Sequence, residues 1–404
     1  MHAVRIGVVG YGYWGPNLVR TLIDLPEVVL VVVAERDPAR MQEIRDKHPQ
    51  VEVVVSDHKQ LLSMELDAVA VVTPPETHFS IVKEYLENGL DVFVEKPITT
   101  SADDAAQLVT LAEERGRVLM VGHIAEYHPT IRALKEIIDS GELGPIRYID
   151  TVRAGLGLFH PSLNVIWDLA PHDISILIHL LGAAPTHAST SAIACVQDSV
   201  EDVAYSAFTF PNGVLAHSRL SWLDPLKMRR ITVVGSDKMV VYDDLEPHEK
   251  LKIYDKHVTT VPKTDTFGDF QFAYHYGSVT SPYVEFEEPL RIECRHFAKC
   301  VIEGSQPMTD GRSGLRVVQV IEAAQESLRN QGSQVAVGSA SSTVGARAID
   351  VTNGTESPAR GKTGALDHIK DNDRSVLGPP SHEVDLVDSN GGGAPGDRPE
   401  PVAW

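Results

Sequence analysis

The sequence predicts an α/β chain in two parts: a doubly wound parallel sheet over residues 1–125, then an α+β region of mainly alternating strands over residues 126–330. Three observations carry this. Short apolar runs alternate regularly with helix-like stretches through the first 125 residues, which is the βαβ rhythm of a parallel sheet. Those runs are almost continuously apolar, as strands covered by helices on both faces must be. Beyond residue 145 the period changes to strands that alternate inward and outward, punctuated by tight-turn residues.

Taken in order, VRIGVVG at 4–10 is the first strand, and PNLVRTLIDL follows a glycine turn as a helix with Pro16 in its first turn. VVLVVVAE at 28–35 is the second strand and PARMQEIRDKH the second helix. LDAVAVVT at 66–73, DVFVEK at 91–96 and RVLMVG at 117–122 continue the sheet, separated by the helical ETHFSIVKEYLENG and SADDAAQLVTLAEERG. In the second part IRYIDTVRAG, DVAYSAFTFPNG, VLAHSRLSWL, RRITVVGSDKMVVYDD, KLKIYD and HVTTVP read as strands, with FPNG and VGSDK as hairpin turns. DISILIHLLG at 173–182 and LRIECRHFAKCVIEG at 290–304 read as helices. After residue 331 Gly, Ser, Pro, Asp and Asn dominate, a composition that cannot bury enough apolar surface to offset its ordering entropy, so 331–404 is expected to be a disordered tail.

Bulk properties narrow the function classes. A formal net charge of -20 would repel a phosphate backbone and an anionic membrane alike, so neither nucleic acid nor membrane is an expected partner. No apolar run approaches the roughly 20 residues that span a bilayer, and residues 1–20 carry no signal-peptide pattern, so a cytoplasmic location is expected. Cys195, Cys294 and Cys300 lack metal-ligand spacing and read as reduced thiols; no metal site is expected.

The turn after the first strand reads GYGYWG, placing Gly10, Gly12 and Gly15 at GxGxxG spacing. Alone that pattern is weak. Between a strand and a helix it gives a tight turn, an approach for a pyrophosphate and a helix N-terminus aimed at the anion. Glu35 stands twenty residues beyond Gly15, where a carboxylate accepts hydrogen bonds from ribose hydroxyls and repels a 2′-phosphate. NAD is therefore favoured over NADP, although the guanidinium of Arg36 beside it could instead hold a phosphate. Tyr13 and Trp14 lie in the same turn as further cofactor candidates.

With that turn, VTPPETH at 72–78, VEKPIT at 94–99, VGH at 121–123, SGELGPI at 140–146 and DLAPHD within IWDLAPHDISIL at 166–177, the chain resembles the Gfo/Idh/MocA family from about residue 4 to residue 330. The resemblance implies an N-terminal Rossmann domain and a C-terminal domain on a large, mostly antiparallel open sheet. It implies catalytic roles for Lys96, Asp168 and His172, and adds Thr73, Pro74, His78, Glu95 and Lys96 itself to the cofactor site. The residues are suited to these roles. Lys96 ends a parallel strand, where ligands of open α/β sheets bind, and can hold a substrate hydroxyl. His172 titrates near neutrality and can take the hydroxyl proton as hydride leaves the same carbon. Asp168 could instead cap a helix, which Pro171 disfavours by removing one N–H target; Asp173 is assigned to structure.

A sugar or polyol secondary alcohol is as far as the residues lead. The segments NVIWDLAPHDISIL and SWLDPLKMRR look like those of family members acting on nucleotide-linked amino sugars, which implies oxidation of the 3-hydroxyl of a UDP-N-acetylhexosamine. Tyr127, Arg153, Asn164 and Lys227 stand as substrate-binding candidates, Lys227 with Arg229 and Arg230 for a diphosphate. The alternatives are a dehydrogenase of free polyols such as inositol and, in another class, an NAD(H)-binding sensor without catalysis. A sheet with one solvated face further predicts a homodimer or homotetramer through the C-terminal sheet.

Overall fold

The computed structural model describes residues 3–159, 163–260 and 272–338. The first sheet contains six strands, β1 (Val4–Val9), β2 (Val28–Ala34), β3 (Val53–Val55), β4 (Ala68–Val71), β5 (Asp91–Glu95) and β6 (Leu119–Gly122), all parallel, in the order β3-β2-β1-β4-β5-β6. Helices α1 (Gly15–Ile23), α2 (Pro38–Lys47), α3 (Pro75–Glu87) and α4 (Ala102–Arg115) connect them. The strands are apolar throughout because both faces are covered: Val8, Val69, Val92 and Val121 are all fully buried. The sheet order reverses at β1, with β2 on one side and β4 on the other, so the carboxyl ends of β1 and β4 flank the crevice where a dinucleotide binds. In this sheet the strand absent from the sequence reading is β3, only three residues long and paired to β2 through Val33 and Val54.

After α5 (Pro129–Asp139) the chain enters a nine-stranded sheet. Strand β7 (Ile146–Leu156) precedes α6 (Val165–Leu181), and β8 (His187–Ile193), β9 (Val203–Thr209), β10 (Leu215–Ser221), β11 (Leu223–Gly235), β12 (Met239–Asp243), β13 (Leu251–Thr260) and β14 (Phe272–Thr280) follow. Helices α7 (Pro289–Glu303) and α8 (Gly311–Arg329) and the two-residue β15 (Val335–Ala336) complete it. Strands β8, β14 and β15 are likewise absent from the sequence reading. The order is β14-β13-β12-β11-β7-β10-β9-β8-β15, antiparallel except where β7 runs parallel to β10. One face alternates into the core: Ile149, Ala204, Phe208, Ala216, Leu220 and Val233 pack against α5, α6 and α8. The opposite face leaves Tyr148, Tyr205 and Leu215 exposed.

Three expectations change in the folded chain. KLKIYD and HVTTVP are one strand, β13, with an irregularity between Tyr254 and Lys256; residues 261–262 lie outside the described residues. The helix expected from Asp173 starts at Val165, because Asn164 caps it. Part of the expected tail is ordered, since β15 pairs with β8 through Val335 and Ala188; residues 339–404 lie outside the described residues. Nor do residues 126–330 stand apart from the first sheet. Phe297 of α7 meets Phe93 of β5 at 5.7 Å between ring centroids, and Glu288 pairs with Arg20 of α1 at 2.5 Å. Val318 of α8 belongs to the nucleotide-domain core while Val317, Val320 and Ile321 belong to the second.

Candidate active site

The turn after β1 is built by its glycines. Gly10 has φ +100°, and a Cβ there would stand 2.6 Å from the carbonyl oxygen of Val72. Gly12 faces open space, where a Cβ would meet nothing nearer than the Arg40 guanidinium at 3.7 Å, so the backbone is free to receive a phosphate. That cradle fits a dinucleotide pyrophosphate, and Tyr13 lies exposed beside it. The Glu35 carboxylate is fixed at the end of β2, accepting from the Tyr11 N–H at 2.7 Å and the Asp37 N–H at 2.9 Å. Each oxygen keeps lone pairs for further donors. Arg36 is exposed next to it, and Arg40, which the sequence reading did not single out, stands over Gly12.

Thr73 and Pro74 form the turn between β4 and α3, where the Thr77 hydroxyl donates to Thr73 Oγ1 at 2.7 Å. His78 does not reach this surface. It is fully buried, with Nδ1 2.8 Å from the carbonyl oxygen of Pro97 and Nε2 2.8 Å from that of Thr73. It ties the turn after β4 to the turn after β5 from within, and offers no exposed atom to a ligand at their surface. Between them the Lys96–Pro97 peptide is cis.

Lys96 follows the last residue of β5. Its ammonium donates to the backbone carbonyl of Asp168 at 3.1 Å and lies 3.7 Å from Asp168 Oδ1. Asp168 is in the first turn of α6, and its Oδ2 accepts from the Trp222 indole N–H at 3.0 Å. The cap position belongs to Asn164, whose Oδ1 accepts the Trp167 N–H at 3.2 Å. His172 is one turn further on the same helix, so it shares the face that carries Asp168. Burial, and then the charge of Lys96, hold its imidazole well below the usual histidine range; Arg153 and Arg229 add to the effect. The ring is therefore neutral at neutral pH, with a lone pair free on the unprotonated nitrogen, while burial and the neighbouring cations disfavour its protonated form. Glu95 beside Lys96 has its carboxyl group against Gly122, and burial raises its pKa to about 7.

The substrate candidates divide. Arg153 Nε donates to Asp173 at 3.0 Å, and Asp173 also accepts from Thr151 and Ser218, which confirms Asp173 as a structural anchor. Arg229 is the direct ladder partner of Arg153, so both guanidiniums are on the face that carries His172. Lys227 is exposed, displaced by the irregular pairing between Leu223 and Met228. Tyr127 is fully buried with its hydroxyl 3.2 Å from Thr309 Oγ1, and Asn164 is occupied by the cap and by Glu201 at 2.8 Å. These last two therefore serve packing and capping. Sequence reasoning passed over His123, which is buried and so close to Lys96 that burial and this charge lower its pKa to about 3. The VGH segment was its only signal.

Residues 4–123 match an oxidoreductase family with an NAD-binding Rossmann fold, Gfo/Idh/MocA, and residues 131–241 match the C-terminal domain of the same family. The chain belongs to the Gfo/Idh/MocA family. UDP-N-acetylglucosamine 3-dehydrogenase of Acidithiobacillus ferrooxidans is 31% identical over 265 residues, 64% of this chain and 79% of the relative. A solved structure of that enzyme aligns with a TM-score of 0.66 at 26% identity, covering 82% of this chain and 99% of that one. The NAD(+)-dependent scyllo-inositol 2-dehydrogenase of Bacillus subtilis is 27% identical over 341 residues, 81% of this chain and 95% of the relative. As a Gfo/Idh/MocA member the chain is an NAD(P)-dependent oxidoreductase acting on CH–OH. Among the described residues no helix is long and apolar enough to cross a membrane.

Proposed function

We propose that this chain oxidises a secondary alcohol of a sugar to a ketone with NAD, and that its substrate is the 3-hydroxyl of a UDP-N-acetylhexosamine. The observation that carries the chemistry is the contact between the two halves of the site: Lys96 from β5 donates to the carbonyl of Asp168 on α6, one turn before His172. Lys96 holds the substrate oxygen and stabilises its alkoxide character. Neutral His172 takes the hydroxyl proton. Asp168, anchored by Trp222, orients the ammonium or binds a neighbouring hydroxyl. When bound, NAD supplies the hydride acceptor. The Gly10–Gly15 turn, Tyr13, Trp14, Thr73 and Pro74 hold it, and Glu35 favours NAD by accepting from ribose hydroxyls where NADP carries a phosphate.

Arg153, held by Asp173, and Arg229, 3.7 Å from Asp244, put positive charge near His172, which supports an anionic, diphosphate-linked substrate. The likeness to UDP-N-acetylglucosamine 3-dehydrogenase points the same way. A free polyol is the second reading, favoured by the longer coverage of the inositol dehydrogenase. A screen following NADH formation separates them. Turnover with UDP-N-acetylglucosamine but not with inositol or glucose is expected, and the reverse would overturn the substrate. NADH binding without turnover of any sugar would instead mark a sensor. The exposed sheet face carrying Tyr148, Tyr205 and Leu215 supports assembly as a homodimer or homotetramer, which sedimentation of Tyr205→Asp against the parent chain would test.

A further inference from the structure

We propose that Asp255, His257 and His275 bind a divalent transition metal, zinc foremost, on the β13–β14 ribbon, apart from the catalytic residues. Asp255 sits at the irregularity of β13 and is brought beside His257 and His275 there, its Oδ2 3.0 Å from His275 Nε2. His275 is the direct ladder partner of His257 on β14, so the two imidazoles project from one face. Three donors from two strands are thereby brought together, with one ligand atom from each within 4.8 Å of the others.

The surroundings prepare these donors. His257 Nδ1 lies 2.9 Å from the backbone carbonyl of Asp237, which can only accept, so Nδ1 carries the proton and Nε2 presents its lone pair. A carbonyl holding the second nitrogen of a ligating histidine is the usual outer support of a metal site. His275 Nε2 stands 3.0 Å from Asp255 Oδ2. Tetrahedral zinc with bonds of about 2.0–2.2 Å sets its ligands roughly 3.3 Å apart, so that pair is already near the required spacing. The two imidazoles are stacked at 4.6 Å between centroids, and a modest splay of partly exposed side chains brings the third donor in.

Gly277 supplies an independent indication. It lies two residues from His275 on the same face, and a Cβ there would fall 2.0 Å from Asp255 Oδ2. Only glycine lets the carboxylate lie across the ribbon toward the histidines. Two imidazoles and one carboxylate suit zinc, cobalt or nickel rather than magnesium or calcium, which favour all-oxygen sites. A fourth position remains for water. The metal would clasp β14, all nine residues of which are exposed, to β13. No local ligand motif joins residues 255, 257 and 275, so nothing in the chain order points to the site.

The test uses the full chain stripped with a chelator and titrated with zinc against a chromophoric competitor. One equivalent is expected to bind at least tenfold more tightly than the remaining sites offered by the chain's 17 histidines. That equivalent should disappear in His275→Gln and weaken in Asp255→Asn, with NAD binding retained as the check of folding. Cobalt should give the intense visible band of tetrahedral coordination in the parent chain alone. Equal zinc binding by the parent and a His257→Gln/His275→Gln chain, or no tight equivalent in the parent, would overturn the proposal.

Discussion

In the proposed mechanism His172 is the base, and its environment makes a specific demand. Burial and the surrounding cations keep it neutral well below the usual histidine range, so its base form persists as pH falls through 6.5. The rate of alcohol oxidation should show no acid limb near pH 6.5; a limb at that value would mean that a solvated base does the work. His172→Ala and Lys96→Ala, assayed with NAD binding intact, should each lose about 100-fold or more in turnover, and normal rates in both would remove the mechanism. Lys96, Asp168 and His172 were legible because each lies in a short ordered motif. Arg229 and His123 were not, since what distinguishes them is a cross-strand partner and a neighbouring ammonium, neither of which is near in sequence. The same blindness made Tyr127 and Asn164 look available when their polar atoms were already engaged.

Among the elements, α6 carries Asp168 and His172, the groups assigned to the proposed chemistry, and its start decides which way they face. Sequence placed the start at Asp173, where the helix-like apolar run DISILIHLLG begins. The helix instead runs through Pro171, giving up one backbone hydrogen bond, since eleven of its residues bury their side chains. Asn164→Ala should cost about 0.5–2 kcal/mol of stability, measured by denaturant unfolding, and leave KM for the sugar nearly unchanged. A large rise in KM with little change in stability would restore Asn164 to the substrate site. Strands β1, β2, β4, β5 and β6 were readable from their apolar runs, whereas β3 is too short to show a period and earns its place by pairing alone.

Across the whole molecule, a line of buried ionisable groups couples stability to pH. Burial raises the pKa of Glu126 to about 8. The folded chain holds that proton where the unfolded chain has released it, so stability falls as pH rises from the ordinary glutamate range toward 8. Glu126→Gln should therefore gain stability relative to the parent over that interval, by at least about 1 kcal/mol at pH 8, given about 1.4 kcal/mol per pKa unit. A constant difference from pH 5 to pH 8 would show Glu126 ionised throughout. His123 acts at the other end: neutral in the fold down to about 3, it costs stability as pH falls below the ordinary histidine value. Helices α7 and α8 bring the end of the described chain back against the first sheet, so the two cores share a wall. By itself the sequence determined the βαβ rhythm, the glycine turn, the strand-end lysine and the acid and imidazole one turn apart, because those depend on contacts within a few residues. Only the tertiary structure decided which guanidinium faces the imidazole, that the imidazole stays neutral, and that two histidines and an aspartate meet on a ribbon. Each of those depends on atoms distant in the chain that become neighbours when the sheets form.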